Sequence, residues 1–275
     1  MTTDAEKRFE REERFHDAWA DSTSVKTIDI HAVNEACTAP EMRFITKELG
    51  DISGKTLLDV GCGLGEASVY FATKGARVTA TDISQLMLEK TAELARHYKT
   101  EVQTHKSTAE DLCLGVNKKF DIIYVGNLLH HVDINETLGR LQAHVKPSGK
   151  LVSWDPVAYN PVINVYRRIA TNVRTPDEHP LRLKDLNLFK NHFQKVRRQW
   201  FWLFTLSVFL LMFLFQKRDP NKERFWKVVL YEGEKWKKIY RPLEFIDRIL
   251  LKLFPFLKPL CWNVVVIAEG PRQKG

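Results

Sequence analysis

The sequence is sparing with cysteine. Its 275 residues hold four, at Cys37, Cys62, Cys113 and Cys261. None forms a Cys-x-x-Cys pair, so neither a zinc site nor a disulfide scaffold is expected, and the scatter points to a reducing compartment. Long apolar runs are missing too. The most extended, Trp200 to Phe215, has 16 residues and is interrupted only by Thr205 and Ser207. As a helix it would reach roughly 24 Å at about 1.5 Å per residue, short of the ~30 Å hydrocarbon core of a bilayer. A spanning helix is not expected. The residues from Met1 to Phe9 are charged and lack an apolar h-region, so no secretory signal is expected either. Internal repeats and low-complexity linkers are not evident.

What is present suits a globule. Apolar residues make up 44% and charged residues 28%, enough core for one large α/β domain with elaborations, or one domain with a small subdomain. The net charge of +8 is unevenly spread. Between Lys195 and Lys258 stand 15 Lys/Arg and 6 Asp/Glu, which leaves the rest of the chain near neutral. The same 64 residues carry 15 of the 30 aromatic side chains. One segment is therefore both basic and aromatic.

Residues 4–49 read as helical, with Phe9, Phe15 and Trp19 able to share a face. Met42, Ile45 and Leu49 repeat at helical spacing before Gly50, a C-cap. Strand and helix then alternate. Strands are expected at Lys55–Val60, Arg77–Thr81, Glu101–His105, Phe120–Val125 and, after a turn at Lys146–Gly149, Lys150–Trp154. Helices are expected at Glu66–Lys74, Ser84–Tyr98 (Ser84 as N-cap) and Asn135–His144. Such alternation implies right-handed crossovers and a parallel, doubly wound sheet. Beyond Asp155 the rhythm breaks. Helices near Val162–Ala170 and Leu183–His192, a sixth strand over about Gln199–Phe204, the basic aromatic region and a closing strand at Trp262–Ala268 follow.

The chemistry-bearing motif is the loop Asp59-Val-Gly61-Cys62-Gly63-Leu-Gly65. A glycine-rich turn between strand and helix lets a ligand approach backbone N–H groups beside a positive helix end. Asp82 ends the next strand, 21 residues after Gly61, at the distance for ribose hydroxyls. The spacing G-x-G-x-G with an acid before it suits a cationic ligand, a sulfonium with an ammonium, better than a pyrophosphate.

Six segments in order, Leu57–Gly65, Val78–Ser84, Ala109–Leu112, Phe120–Tyr124, Asn127–His131 and Leu141–Gly149, resemble the successive motifs of class I S-adenosylmethionine-dependent methyltransferases, nearest the quinone-biosynthesis branch. The resemblance covers roughly residues 40–155. It implies a Rossmann-like seven-stranded sheet whose last strand is antiparallel, with an N-terminal helical cap at 1–50. The core is expected at 51–204 and 259–270, with an apolar, basic insertion at 205–258. It further implies that Gly61, Cys62, Gly63 and Gly65 line the methionine part of S-adenosylmethionine, with Asp59 supporting the loop. Asp82 would bind the ribose, Ile83 would pack on adenine, and Ala109 and Glu110 would meet the adenine edge. Many relatives carry Asp just before that alanine, where this chain has Thr108. Asn127 would open onto the methyl group, and Arg43 would hold the cofactor carboxylate or lie on the surface.

Methyl transfer is an in-line displacement that leaves a neutral thioether, so positioning supplies much of the rate. A base is needed only for a protonated acceptor, and His131 is the candidate; a pocket-shaping role is the alternative. Thr175-Pro-Asp-Glu-His-Pro180 reads as a capped turn, with acceptor contact through Asp177 or His179 the other possibility. Trp154-Asp-Pro156 borders the expected acceptor pocket. Tyr166-Arg-Arg168 reads as a solvated helix face, or as a partner for an anionic head group. The basic aromatic segment, 200–258, has the pattern of interfacial lipid contact. A helical lid over an apolar substrate is the alternative, and both imply a hydrophobic or lipid-linked acceptor. The expectation is a cytoplasmic enzyme held peripherally at a membrane, with nucleic acid not bound and no metal. RNA methylation, and a non-catalytic cofactor-binding protein, remain as competing readings; against the first stands Gly-Asn-Leu-Leu-His after the fourth strand.

Overall fold

A computed structural model describes residues 4–115, 117–171, 175 and 177–272. Three helices lead: α1 (Asp4–Asp21), α2 (Ile30–Glu35) and α3 (Pro40–Leu49). Gly50, at φ 63°, then donates its N–H to the Thr46 carbonyl and closes α3. The alternation follows as β1 (Thr56–Val60), α4 (Glu66–Thr73), β2 (Arg77–Asp82), α5 (Gln85–His97), β3 (Val102–Lys106), β4 (Phe120–Gly126), α6 (Ile134–His144) and β5 (Val145–Pro156). Ser84 caps α5 by accepting from the Met87 N–H. The chain ends with α7 (Pro161–Ile169), α8 (Leu183–His192), β6 (Phe193–Phe201), α9 (Ser207–Leu214), α10 (Phe225–Tyr231), α11 (Gly233–Leu253) and β7 (Asn263–Pro271).

The strands form one sheet in the order β3-β2-β1-β4-β5-β7-β6. The five strands from β3 to β5 pair in parallel, and β7 runs antiparallel to both β5 and β6. This is the Rossmann-like sheet that the motifs imply. Apolar side chains cover both faces, because a parallel sheet flanked by crossover helices buries its strands on two sides. Leu57, Phe71, Met87 and Val152 sit on one face; Leu58, Ile123, Leu141 and Leu151 sit on the other.

Two local expectations need correction. The sixth strand ends at Phe201 rather than Phe204, and starts at Phe193. Its polar residues are tolerable because it is an edge strand; Lys195 and Arg197 face Glu269 of β7. The expected turn at Lys146–Gly149 is absorbed into β5 as a register shift opposite Phe120–Ile122. Thr175 donates its backbone N–H to the Glu178 carboxylate, as in the expected capped turn; Pro176 lies outside the described residues. No helix among the described residues is long and apolar enough to cross a membrane.

The elements between β6 and β7 fold back over the N-terminal helices. The Thr38 hydroxyl donates to the Val229 carbonyl at 2.7 Å, and Lys227 pairs with Glu66 at 2.7 Å. A Cβ on Gly233 would come within 2.9 Å of the Ala36 Cβ, so the two segments meet almost backbone to backbone.

Candidate functional site

Where β1 and β4 end, the sheet opens into a cavity of about 310 Å³, enclosed by the loops after these strands, by α1 and by the residues around α10. The Gly61 and Cys62 N–H groups both donate to the Thr81 carbonyl, which fastens the glycine loop to the end of β2. Asp82, buried, accepts from the Gly63 N–H and the Ser84 N–H, each at 2.9 Å. The loop and the acid are thus one hydrogen-bonded unit. Gly63 holds φ +54°, and a Cβ there would meet nothing within 4 Å, so its side is open. Gly65 is different: a Cβ would come within 2.6 Å of Thr91, so this glycine packs the loop onto α5.

Asp59 ends up buried below the loop, where it accepts from the Ser68 hydroxyl at 2.5 Å. Burial pushes its carboxyl up to about 7. Burial likewise raises Asp82. The buried Cys62 thiol is held well above its ordinary value, which makes it a packing group and not a nucleophile. Asn127 takes a left-handed φ of 56°, a conformation asparagine tolerates, and donates its N–H to the Trp154 carbonyl at 2.7 Å. Ile83, Ala109 and Glu110 line the same cavity. Glu110 pairs with Arg8 and accepts from the Asp133 N–H, while its Oε2 is buried with no hydrogen-bond partner. Such an orphaned acceptor suits an amine donor.

Two expected residues stand elsewhere. Arg43 does not line the cavity: its guanidinium bonds the Cys37 carbonyl and the Glu244 carboxylate of α11. Gly65 lies behind the lining, as the residue preceding α4.

At the far end the imidazoles gather. Both His130 and His131 line the cavity, with ring centroids 4.1 Å apart. His130 Nδ1 lies 3.0 Å from the buried Asp155, and His131 Nδ1 lies 3.3 Å from Glu12 of α1. Burial alone would raise Glu12, but hydrogen bonds from His131 and His16 outweigh it and hold the carboxyl well below the usual range. His130, His131 and Glu178 each offer one ligating atom, all within 4.8 Å of one another, a donor set that could hold a divalent cation. Glu12 escaped the sequence reading because it sits in no motif, and Glu178 was read only as part of the capped turn at Thr175–Pro180. The walls here are aromatic: Phe9, Phe15 and Trp19 from α1, with Trp202, Trp226 and Trp262. Tyr166 and Arg167 also line the cavity, so this part of α7 is not simply a solvated face.

Residues 58–151 match the family model described as a methyltransferase domain. Ubiquinone biosynthesis O-methyltransferase from Rickettsia canadensis is 29% identical over 150 residues, 54% of this chain and 62% of that protein. The enzyme of the same description from Pseudomonas syringae pv. tomato is 32% identical over 117 residues, covering 41% and 50%. The chain thus spans about three fifths or less of the length of these relatives. Among solved structures, geranyl diphosphate C-methyltransferase from Streptomyces coelicolor A3(2) superposes with a TM-score of 0.55 at 15% identity, over 83% of this chain and 77% of that one. Phosphoethanolamine N-methyltransferase 2 from Haemonchus contortus gives 0.55 at 17% identity, over 85% and 52%. These two establish likeness of fold.

Sheet order, glycine loop and family match are together those of a methyltransferase domain, with the match confined to residues 58–151. Over the matched residues the chain is similar to the ubiquinone biosynthesis O-methyltransferases.

Proposed function

We propose that the protein transfers a methyl group from S-adenosylmethionine to a hydrophobic, lipid-like small molecule at a membrane surface. The observation that supports this most is the continuity of one cavity, from the glycine loop and Asp82 at one end to a wall of phenylalanine and tryptophan at the other. The curated relatives are named for ubiquinone biosynthesis, which agrees with an apolar acceptor.

In this reading Asp82 holds the ribose, Ile83 packs on the adenine and Glu110 Oε2 accepts from its amine. The Gly61–Gly63 loop and Asp59 surround the methionine part. When bound, the cofactor supplies an electrophilic methyl group on a sulfonium. The protein's own part is positioning and proton handling. With its Nδ1 proton donated to Glu12, His131 keeps a lone pair on Nε2 and takes the proton from an acceptor hydroxyl. Glu12 fixes that tautomer and stabilises the imidazolium that results. The aromatic walls exclude water from the acceptor.

The membrane part of the proposal draws on exposed apolar side chains gathered on neighbouring α9 and α11 and on the turn that follows. Phe215 is 78% exposed and Phe256 74%, with Leu214, Phe245 and Leu253 also exposed. Lys217, Arg248 and Lys252 of the same segments are also exposed. Apolar groups to enter the headgroup layer, ringed by cations to meet anionic lipid, are what monotopic attachment requires.

The test is methyl transfer from radiolabelled cofactor to membrane lipid extract, to soluble metabolites and to RNA in parallel. Label in the lipid fraction supports the reading; label only in RNA overturns it. Repeating the assay with a chelator separates an imidazole base from a cation held by His130, His131 and Glu178.

A further inference from the structure

Arg224 is a buried-side cation that the mechanism above does not use. It precedes α10 and lines the cavity at its aromatic end. Its guanidinium carbon lies 4.2 Å from the ring centroid of Trp19 and 5.7 Å from that of Phe15. Neighbouring cations are neutralised by acids: Lys227 by Glu66, Arg218 by Glu223 and Glu232, Arg8 by Glu110. Among the described residues no carboxylate lies within ion-pair reach of Arg224, and no side-chain hydrogen bond engages it; Glu178 and Tyr166 face it from farther away.

Aromatic rings satisfy the face of a guanidinium and leave its in-plane N–H donors free. Those donors form a planar fork that matches an oxyanion. A second arginine stands on the same cavity, where Arg167 donates to the Val157 carbonyl and to Asn164 Oδ1, so it is held in place by α7. Retaining an arginine against Trp19 with no carboxylate in contact with it costs desolvation that an apolar ligand would not return. An anionic ligand would return it.

We propose that Arg224 is the anchor of an anionic subsite, and that the methyl acceptor is an amphiphile bearing a carboxylate or phosphate beside its apolar body. This rests on reading the cavity as the acceptor site. It predicts an acceptor whose acid end lies on Arg224 and whose apolar part lies along Phe15, Trp226 and Trp262.

The test titrates protein loaded with S-adenosylhomocysteine, using three probes with one apolar tail: 4-decyloxybenzoate, 4-decyloxyphenyl phosphate and the uncharged 4-decyloxybenzyl alcohol. Binding is followed by calorimetry and tryptophan emission. At least one acid should bind about tenfold or more tightly than the alcohol, the scale of one charge-assisted pair, and the stronger of the two identifies the anion. Arg224→Gln should remove the preference while leaving the alcohol and S-adenosylhomocysteine affinities in place, and Arg224→Lys should keep part of it. Equal binding of acids and alcohol by the unaltered protein, or an undiminished preference in Arg224→Gln, would overturn the proposal. If the glutamine variant fails to fold, the acid-to-alcohol ratio of the unaltered protein decides alone. Failure to bind S-adenosylhomocysteine is a separate result, one that removes the cofactor reading itself.

Discussion

Asp59 gives the sharpest test of how the glycine loop meets its ligand. Its carboxyl is buried, bonded to Ser68, and pushed up by burial to about 7. A ligand bearing a sulfonium and an ammonium selects the ionised form, so binding must drive off whatever proton the empty site holds. With a midpoint near 7, about nine tenths of Asp59 is protonated at pH 6 and about one tenth at pH 8. Affinity for S-adenosylmethionine should therefore weaken about tenfold from pH 8 to pH 6 on this account, or about 1.4 kcal/mol. The assay is calorimetry across that range with the unaltered protein and Asp59→Asn. The amine of the ligand, Asp82 and Glu110 titrate in both proteins, so the ratio of the two curves isolates Asp59. That ratio should change tenfold, and buffers of different ionisation enthalpy should report greater proton release where Asp59 is present than in Asp59→Asn. Parallel curves would refute the reasoning.

Other outcomes follow from the same physics. Burial also pushes Glu41 up to about 7, against the Asn263 amide at 2.7 Å. A carboxyl raised on folding stabilises fully below its unfolded pKa near 4.5 and loses that contribution as pH rises through about 7. The urea midpoint should fall between pH 5 and pH 8, by an amount on the order of 3 kcal/mol for this group, and Glu41→Gln should flatten the fall. Asp247 is buried in α11 and accepts from the N–H groups of Leu203, Phe204 and Thr205 and from the Thr205 hydroxyl, so Asp247→Ala should cost roughly 3 kcal/mol or more in equilibrium unfolding. Glu12→Gln should lower kcat more than it changes KM and shift the alkaline-rising limb of the rate profile, whereas a merely structural role would move stability alone. Replacing Phe215 and Phe256 with serine should reduce flotation with anionic vesicles several-fold while cofactor binding, by calorimetry, stays unchanged.

The glycine-loop end of the cavity was legible because its causes are local. Three glycines follow a strand within five residues, and Asp82 closes the next strand; both are patterns that short-range geometry imposes. Strand β6 was harder, since Lys195, Arg197 and Arg198 break the alternation that marks a buried strand. Lys195 and Arg197 pair with Glu269 of β7 and Glu48 of α3, partners that no local window contains, and Arg198 donates to the Leu186 carbonyl and Asn187 Oδ1 of α8. Arg43 shows the same limit from the other side. The sequence left it either reaching the cofactor carboxylate or lying on the surface, and Glu244, 201 residues later, takes its guanidinium.

The aromatic end of the cavity is nonlocal throughout. Trp19 and Trp226 meet at 6.4 Å from opposite ends of the chain, Glu12 reaches His131, and Arg224 settles on Phe15 and Trp19. Periodicity could place Phe15 and Trp19 on one face of α1, and it did; it could not say what that face covers. The basic charge of residues 195–258 read as a single property of the segment. In the folded chain it divides into cations neutralised by acids, exposed cations among apolar side chains, and one arginine turned into the cavity. These three fates have different chemical consequences, and only the packing of α1 against the residues around α10 separates them. If the cavity is the acceptor site, specificity should respond to substitutions at Phe15, Trp19 and Arg224 more than to any in the glycine loop, since that is where the two ends of the chain are joined over the cavity.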